Sequence, residues 1–315
     1  MSRQQAIHDR SAVVSGLSAS HSRIVHADDC PVHGWTSCSA ATVDGMTITE
    51  AFSYRRATYE RDGVVQIDGL LAAAEIDEIR AAFMEQVARD RNAVGAVHEV
   101  AGDEILAKYP RFMHPHRRTD LLIGRIARSY LADRRIVDIV TELIGPAWGA
   151  QSMFYFKPPS ARGQAMHQDN YFLRAHPETC LAAWIAIDDC DAENGALSVV
   201  PGSHTMEVVC PDEADAEESF TRGLVRPPAG MEARQTRMRA GDVLFFHGST
   251  VHGSLPNTSA DRFRRSLIFH FVPKASQEIS DGYLPLLDPD TGEDVTITTA
   301  SGGGPCGDGW EGGAH

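Results

Sequence analysis

The chain has 315 residues, 43% hydrophobic and 23% charged, with a formal net charge of −14. That is the composition of a soluble globular protein with one sizeable core or two small ones. No apolar run approaches a membrane span, and the N-terminus lacks the apolar stretch of a secretory signal, so a cytoplasmic location is the expectation. The acidic balance argues against nucleic acid, since the longest basic clusters are Arg117-Arg118 and Arg262 to Arg265. It mildly favours cationic substrates.

Residues 1–51 are rich in Ser, Ala, His and Asp without a clear period, and read as an extension, ordered in part at best. Within it His26, Cys30, His33 and Cys38 offer zinc donors in principle, but their spacing fits no common finger, and a loosely docked segment is the preferred reading. The domain is expected over 52–285. Asp62-Gly63 and Asp68-Gly69 bracket a short strand, Val64 to Ile67. Ile76, Ile79, Phe83 and Val87 recur at helical steps and predict a helix over 73–91. Residues 95–118 are irregular. A helical pair follows over 119–131 and 133–144, stopped by Gly145-Pro146.

From Trp148 the period becomes that of strands: Ser152 to Lys157, Leu181 to Asp188, Leu197 to Val200, Asp242 to Phe246 and Ser266 to Val272. Helices first and short strands later predict an α+β, mainly β fold, a double-stranded β-helix (jelly roll, cupin-like) braced by N-terminal helices. The acidic insert 206–240, like 95–118, reads as a lid. Residues 286–315 read as a tail, Gly-rich and mobile at its end. None of the six cysteines forms a C-x-x-C pair, and reduced thiols are expected.

The chemistry concentrates in His167-Gln168-Asp169, answered by His252. On a strand, side chains two apart share a face, so His167 and Asp169 can reach one ion while His252 arrives from a neighbouring strand or loop. Two imidazoles and one carboxylate occupy one face of an octahedral ion and leave three positions open, as in non-haem Fe(II) oxygenases. His247 is a competing donor, with packing as its preferred role. His204, in a Pro-Gly-Ser-His turn, reads as structural.

These residues sit in an ordered series: Arg61 to Leu71, Lys157-Pro-Pro, His167 to Phe172, Trp184, Glu193 to His204, His252-Gly-Ser254, and Arg264 to His270. Over residues 55–275 the series resembles the phytanoyl-CoA dioxygenase family of Fe(II)/2-oxoglutarate oxygenases. The resemblance makes His167, Asp169 and His252 the iron ligands and catalytic residues. It implies Fe(II), 2-oxoglutarate and O₂ as cofactor and cosubstrates. It assigns the far carboxylate of 2-oxoglutarate to Arg264, with Arg265 as the close alternative, and to the hydroxyl of Ser254. Lys157 is a further candidate there, and Trp184 either borders the cosubstrate or packs the core. Related halogenases carry a small residue where Asp169 stands, so oxygenation is implied over halogenation.

Asn170, Tyr171, Phe172 and Phe156 are the candidate substrate-binding residues, Phe154 and Phe156 being equally readable as core. The expected reaction is oxidation of an unactivated C–H bond in a small molecule, such as a secondary metabolite or amino-acid derivative, with release of succinate and CO₂. Acyl-CoA substrates are demoted, because the acidic chain offers little basic surface for nucleotide phosphates. The competing readings are a cupin-like metal enzyme without a keto acid and a non-catalytic metal-binding module. The partner is a small molecule, with no nucleic acid or membrane, on a monomer or homodimer.

Overall fold

The structure, a computed structural model, describes residues 42–43, 46–94, 105–177, 179–301 and 304–307. The His26, Cys30, His33, Cys38 set and residues 95–104 of the expected lid lie outside them. The chain divides into two compact units, Met1–Glu50 and Ala51–His315. In the first, Thr42–Val43 pairs antiparallel with Met46–Thr47.

The second unit begins within helix α1 (Ile48–Asp62), which runs straight into strand β1 (Val64–Ile67). Helix α2 (Ala73–Arg89) buries Ile76, Ile79, Phe83 and Val87, the stripe read from the sequence. Its first turn is held by Glu75, whose carboxylate accepts the Ala72 N–H at 2.8 Å and pairs with Arg135 at 2.7 Å. A two-residue strand β2 (Phe112–Met113) precedes helices α3 (Leu122–Leu131) and α4 (Arg134–Ile144). Asp133 caps α4 by accepting from the Arg135 N–H, and Gly145 ends it at φ 80°.

The strands follow: β3 (Ala147–Tyr155), β4 (Gln164–His167), the one-turn helix α5 (Asn170–Leu173), β5 (Leu181–Ala186), β6 (Leu197–Val199), β7 (Arg234–Gln235), β8 (Val243–His247), β9 (His252–Ser254), β10 (Ser266–Pro273), β11 (Leu286–Leu287) and β12 (Asp294–Val295). They form an eight-stranded sheet, β12-β11-β3-β10-β5-β8-β1 with β2 beside β3, and a four-stranded sheet, β7-β6-β9-β4. These antiparallel sheets make the expected jelly roll, mainly β with few helices. Segment 286–299, read as tail, contributes two strands to the larger sheet, and Leu286 and Leu287 are buried.

Alternation along the strands sorts the core. Phe154, Leu267 and Phe269 belong to the cluster shared with the helices, where Phe83 stacks on Phe154 with centroids 4.0 Å apart. Met153, Tyr155, Trp184, Phe246 and Ile268 form a second cluster with Leu197 and Val199 of the smaller sheet. The site lies in that second layer. The cysteine expectation needs correction: Cys210 and Cys306 form a disulfide across 96 residues, while Cys180 and Cys190 are buried thiols. Spacing alone could not reveal a pair that the fold brings together from an insert and a tail.

Candidate metal centre and anion cleft

Strand β9 lies between β4 and β6, and its first residue sets the site. His252 is the register partner of His167 across the ladder, so the two rings face each other with centroids 4.2 Å apart. Gly253 permits this approach, because a Cβ there would lie 2.7 Å from the Gln164 carbonyl oxygen and 2.9 Å from the Met166 nitrogen. Asp169 does not arrive by strand alternation, as the sequence reading had it. Strand β4 ends at His167, and Asp169 has helical angles, φ −62° and ψ −37°, at the start of α5. The turn swings its carboxylate back towards both imidazoles. Gln168 points elsewhere, donating to the Ser249 carbonyl and accepting from the Val209 N–H, which fastens the 206–240 insert.

Both histidine Nε2 atoms lie 3.5 Å from Asp169 Oδ1, and all three side chains are buried. His167 Nδ1 sits 2.8 Å from the Ala165 carbonyl and His252 Nδ1 sits 3.0 Å from the Thr250 carbonyl. A carbonyl only accepts, so each Nδ1 carries the proton and each Nε2 lone pair faces inward. Burial pushes the His252 imidazolium down to about 4, which keeps that ring neutral. Two lone pairs and a carboxylate oxygen converging out of water repel one another unless a cation lies between them. The donor set therefore fits a divalent metal, and neutral imidazole with carboxylate suits Fe(II). On the other side of the carboxylate, His270 Nε2 is 3.0 Å from Asp169 Oδ2. Sequence reasoning quoted His270 only as a motif residue. Its signal was the alternation 266, 268, 270 along one face of β10, in step with Arg264 just before the strand. His247 lies outside the donor cluster, packed against Tyr59 and His204. His204 Nε2 meets the Glu60 carbonyl at 3.2 Å.

Two residues beyond His252 on the same face, about 7 Å along β9, Ser254 Oγ accepts from Lys157 Nζ at 2.9 Å and from Arg264 Nη2 at 3.4 Å. Both cations also donate to the Gly195 carbonyl, at 3.1 Å each. Gly195 (φ +72°) must be glycine there, since a Cβ would lie 2.5 Å from the Leu255 carbonyl oxygen and 2.9 Å from that of Pro256. Lys157 is 4% and Arg264 3% exposed, and no carboxylate pairs with either among the described residues. Burial, and then the neighbouring guanidinium, pushes Lys157 well below the usual lysine range, and burial lowers Arg264. Two buried cations sharing one hydroxyl make an anion site. Arg265 points to the opposite face and is spent on Asp188, with two contacts of 2.7 Å. Trp184 borders the cleft, its ring centroid 5.5 Å from Arg264 Cζ.

The candidate substrate residues scatter. The Asn170 amide is closed on the Ala175 backbone, accepting at 2.9 Å and donating at 3.2 Å, so it braces the α5 turn. Phe172 stands 6.1 Å from the His167 ring, and Tyr171 packs edge-on to Phe172 with its hydroxyl 3.5 Å from Cys306 Sγ. Phe154 belongs to the helix-side core, and so does Phe156, although Phe156 also borders a surface cleft.

Fold and donor set define a jelly-roll protein built around a facial His–Asp–His centre. The chain belongs to the phytanoyl-CoA dioxygenase (PhyH) family, whose model matches residues 59–266. The phytanoyl-CoA dioxygenase of Arabidopsis thaliana is 33% identical over 131 residues, 39% of this chain and 43% of that protein. The chain thus spans less than half the length of the curated relatives it matches. Among solved structures, the epimerase SnoN in complex with Fe3+, alpha ketoglutarate and nogalamycin RO superposes with a TM-score of 0.61 at 23% identity, covering 82% of this chain and 98% of that one. The alpha ketoglutarate dependent carbocyclase SnoK from nogalamycin biosynthesis gives 0.56 at 26% identity, covering 71% and 85%. No described helix is long and apolar enough to cross a membrane.

Proposed function

We propose that the protein is an Fe(II)/2-oxoglutarate-dependent dioxygenase that oxidises a C–H bond of a small molecule, releasing succinate and CO₂. One observation carries the reading: a facial donor set and an uncompensated buried cation pair stand two residues apart on one face of β9. Lys157, Arg264 and Ser254 would hold the far carboxylate of a short dicarboxylate whose keto-acid end reaches the donor set. A keto-acid-independent cupin-like enzyme, or a metal-binding module without catalysis, leaves those cations without purpose. When bound, ferrous iron with the keto acid would supply the electrons that activate O₂ for attack on a C–H bond.

The chain supplies positioning and exclusion. His167, Asp169 and His252 would hold the ion by one face and leave the other open. The Ala165 and Thr250 carbonyls fix which imidazole nitrogen faces it, and His270 fixes the carboxylate. Trp184, Phe246 and Ile268 line the cleft with apolar surface that keeps water from it. SnoN and SnoK, an epimerase and a carbocyclase of nogalamycin biosynthesis, support a tailoring role on a secondary metabolite rather than on an acyl thioester.

The test is spectroscopic. Anaerobic addition of Fe(II) and 2-oxoglutarate to the intact chain should produce a weak visible charge-transfer band. Arg264→Met should abolish that band at 2-oxoglutarate concentrations that saturate the wild type. Iron demonstrably bound, with no band in the wild type, overturns the reading.

A further inference from the structure

We infer that the prime substrate carries an anionic group, held by Arg111 in a cleft walled by aromatic rings. The inference deepens the oxygenase reading and rests on it for the word substrate, though the anion site stands on its own geometry. The cleft lies open to the surface between the two segments read as lids: Leu106, Tyr109 and Arg111 come from one and Phe220 from the other, with Tyr155 as its floor. Tyr155 and Arg264 line both this cleft and the one facing the metal, so the two adjoin.

Arg111 is the unusual group. Its Cζ lies 5.4 Å from the Tyr155 ring centroid and 5.1 Å from that of Phe220. Aromatic rings therefore hold the guanidinium in place, and Nη1 donates to the Tyr155 hydroxyl at 2.9 Å. Its other N–H groups have no acceptor and it has no carboxylate partner among the described residues. Three other arginines of this acidic chain that are not exposed pair with carboxylates: Arg55 with Glu142, Arg135 with Glu75, Arg265 with Asp188. Among the described residues, no acidic side chain lines the cleft. A rigid, partly desolvated guanidinium with unspent donors selects a carboxylate or comparable oxyanion. The surrounding rings select a flat apolar body behind it.

The path inward is also defined. The Tyr155 hydroxyl lies 3.4 Å from Gln164 Oε1, and Gln164 Nε2 lies 3.2 Å from His167 Nε2. A molecule anchored at Arg111 thus begins two side chains from a metal donor. Net charge alone favoured cationic substrates; the local field in the cleft has the opposite sign.

The experiment uses the full chain with Fe(II) and saturating 2-oxoglutarate under anaerobic conditions, so that Lys157 and Arg264 are occupied. The probes are 2-naphthoate, neutral 2-naphthamide and cationic 2-naphthylmethylamine, titrated by calorimetry or saturation-transfer NMR. We expect 2-naphthoate to bind about tenfold or more tighter than 2-naphthamide, the amine weakest, because a charged hydrogen-bonded contact is at stake. Arg111→Gln should remove that preference while 2-naphthamide still binds, which shows the cleft intact. Arg111→Lys should recover only part of it, since an ammonium lacks the planar fork. Equal binding of 2-naphthoate to wild type and Arg111→Gln, no discrimination among the probes by the wild type, or no binding of 2-naphthoate overturns the inference. The iron–keto-acid band of the wild type is read in the same samples. A normal band with probe indifference sinks the inference alone, and an absent band with Arg111-dependent binding sinks the oxygenase reading alone.

Discussion

His270 places Nε2 3.0 Å from Asp169 Oδ2, on the side of the carboxylate away from the two imidazoles, whose Nε2 atoms both meet Oδ1 at 3.5 Å. One oxygen of Asp169 is thus committed to β10, and the other is turned towards the metal position. His270 comes from the larger sheet and His252 from the smaller, so the carboxylate ties the two layers together at the site.

His270→Leu should leave three donors present but free one of them to rotate. We expect metal affinity to fall roughly 10–100-fold, the usual effect of losing a group that orients a ligand. His270→Gln, which can still donate to Oδ2, should recover part of the loss. Competition with a chromophoric chelator gives the affinities. Equal affinity in wild type and His270→Leu would show that β10 does not orient the carboxylate.

The two cations of the anion cleft repel each other out of water, and removing one should reveal it. Lys157→Met keeps the length of the side chain and deletes its charge. We expect unfolding free energy to stay level or rise, because an uncompensated buried charge is lost. Affinity for 2-oxoglutarate should fall by about 2–5 kcal/mol, the scale for truncating a buried charged contact. Urea titration and calorimetry separate the two effects. A variant that is both unstable and unimpaired in binding would make Lys157 a structural residue.

Much of this site was legible because its parts carry local signatures. His167-Gln-Asp169 and His252-Gly-Ser254 are short runs in which each residue has its own task, and Gly253 exists for the approach of β4. Arg264 and Arg265 could not be separated by sequence, since alternation says that they face apart but not which way. The pairing of Arg265 with Asp188 decides it. Helix α1 was missed because its Arg- and Glu-rich surface carries no strong apolar stripe, Tyr59 and Ala51 alone being deeply buried among its described side chains. Arg111 was invisible for another reason: its partners, Tyr155 and Phe220, lie 44 and more residues away and meet it only through the fold.

Acid should weaken the fold in a defined window. Burial pushes His116 down to about 3 and His247 to about 4, whereas both titrate near 6.5 in an unfolded chain. Between those values the unfolded chain binds protons that the folded chain refuses. Stability is therefore full above about pH 6.5 and is lost as pH falls towards 4, by up to ~1.4 kcal/mol per pH unit for His116. His116→Gln, still able to reach Ser152 Oγ as His116 Nδ1 does at 2.7 Å, should flatten the profile. Urea midpoints at pH 7 and pH 5 decide it, and an unchanged slope in the variant would assign the acid sensitivity elsewhere.

Gly253→Ala offers the sharpest test of how β9 builds the centre. The added methyl would meet the backbone of β4 on both sides, 2.7 Å from the Gln164 oxygen and 2.9 Å from the Met166 nitrogen. Backbone cannot rotate away as a side chain can, so the two strands must separate by several tenths of an ångström. That separation moves His252 away from His167, whose donor atoms have to converge on one ion. We expect destabilisation of roughly 1–3 kcal/mol from overpacking, together with a loss of metal affinity larger than that of Gly230→Ala, a turn position where nothing lies within 4 Å of the added atom. Gly230 has φ +82° and carries its own backbone strain, so the comparison isolates the geometry of the site from general destabilisation. Metal titration of both variants at a temperature where each is folded gives the answer. Equal affinities would mean that the spacing between β4 and β9 does not set the position of the second imidazole.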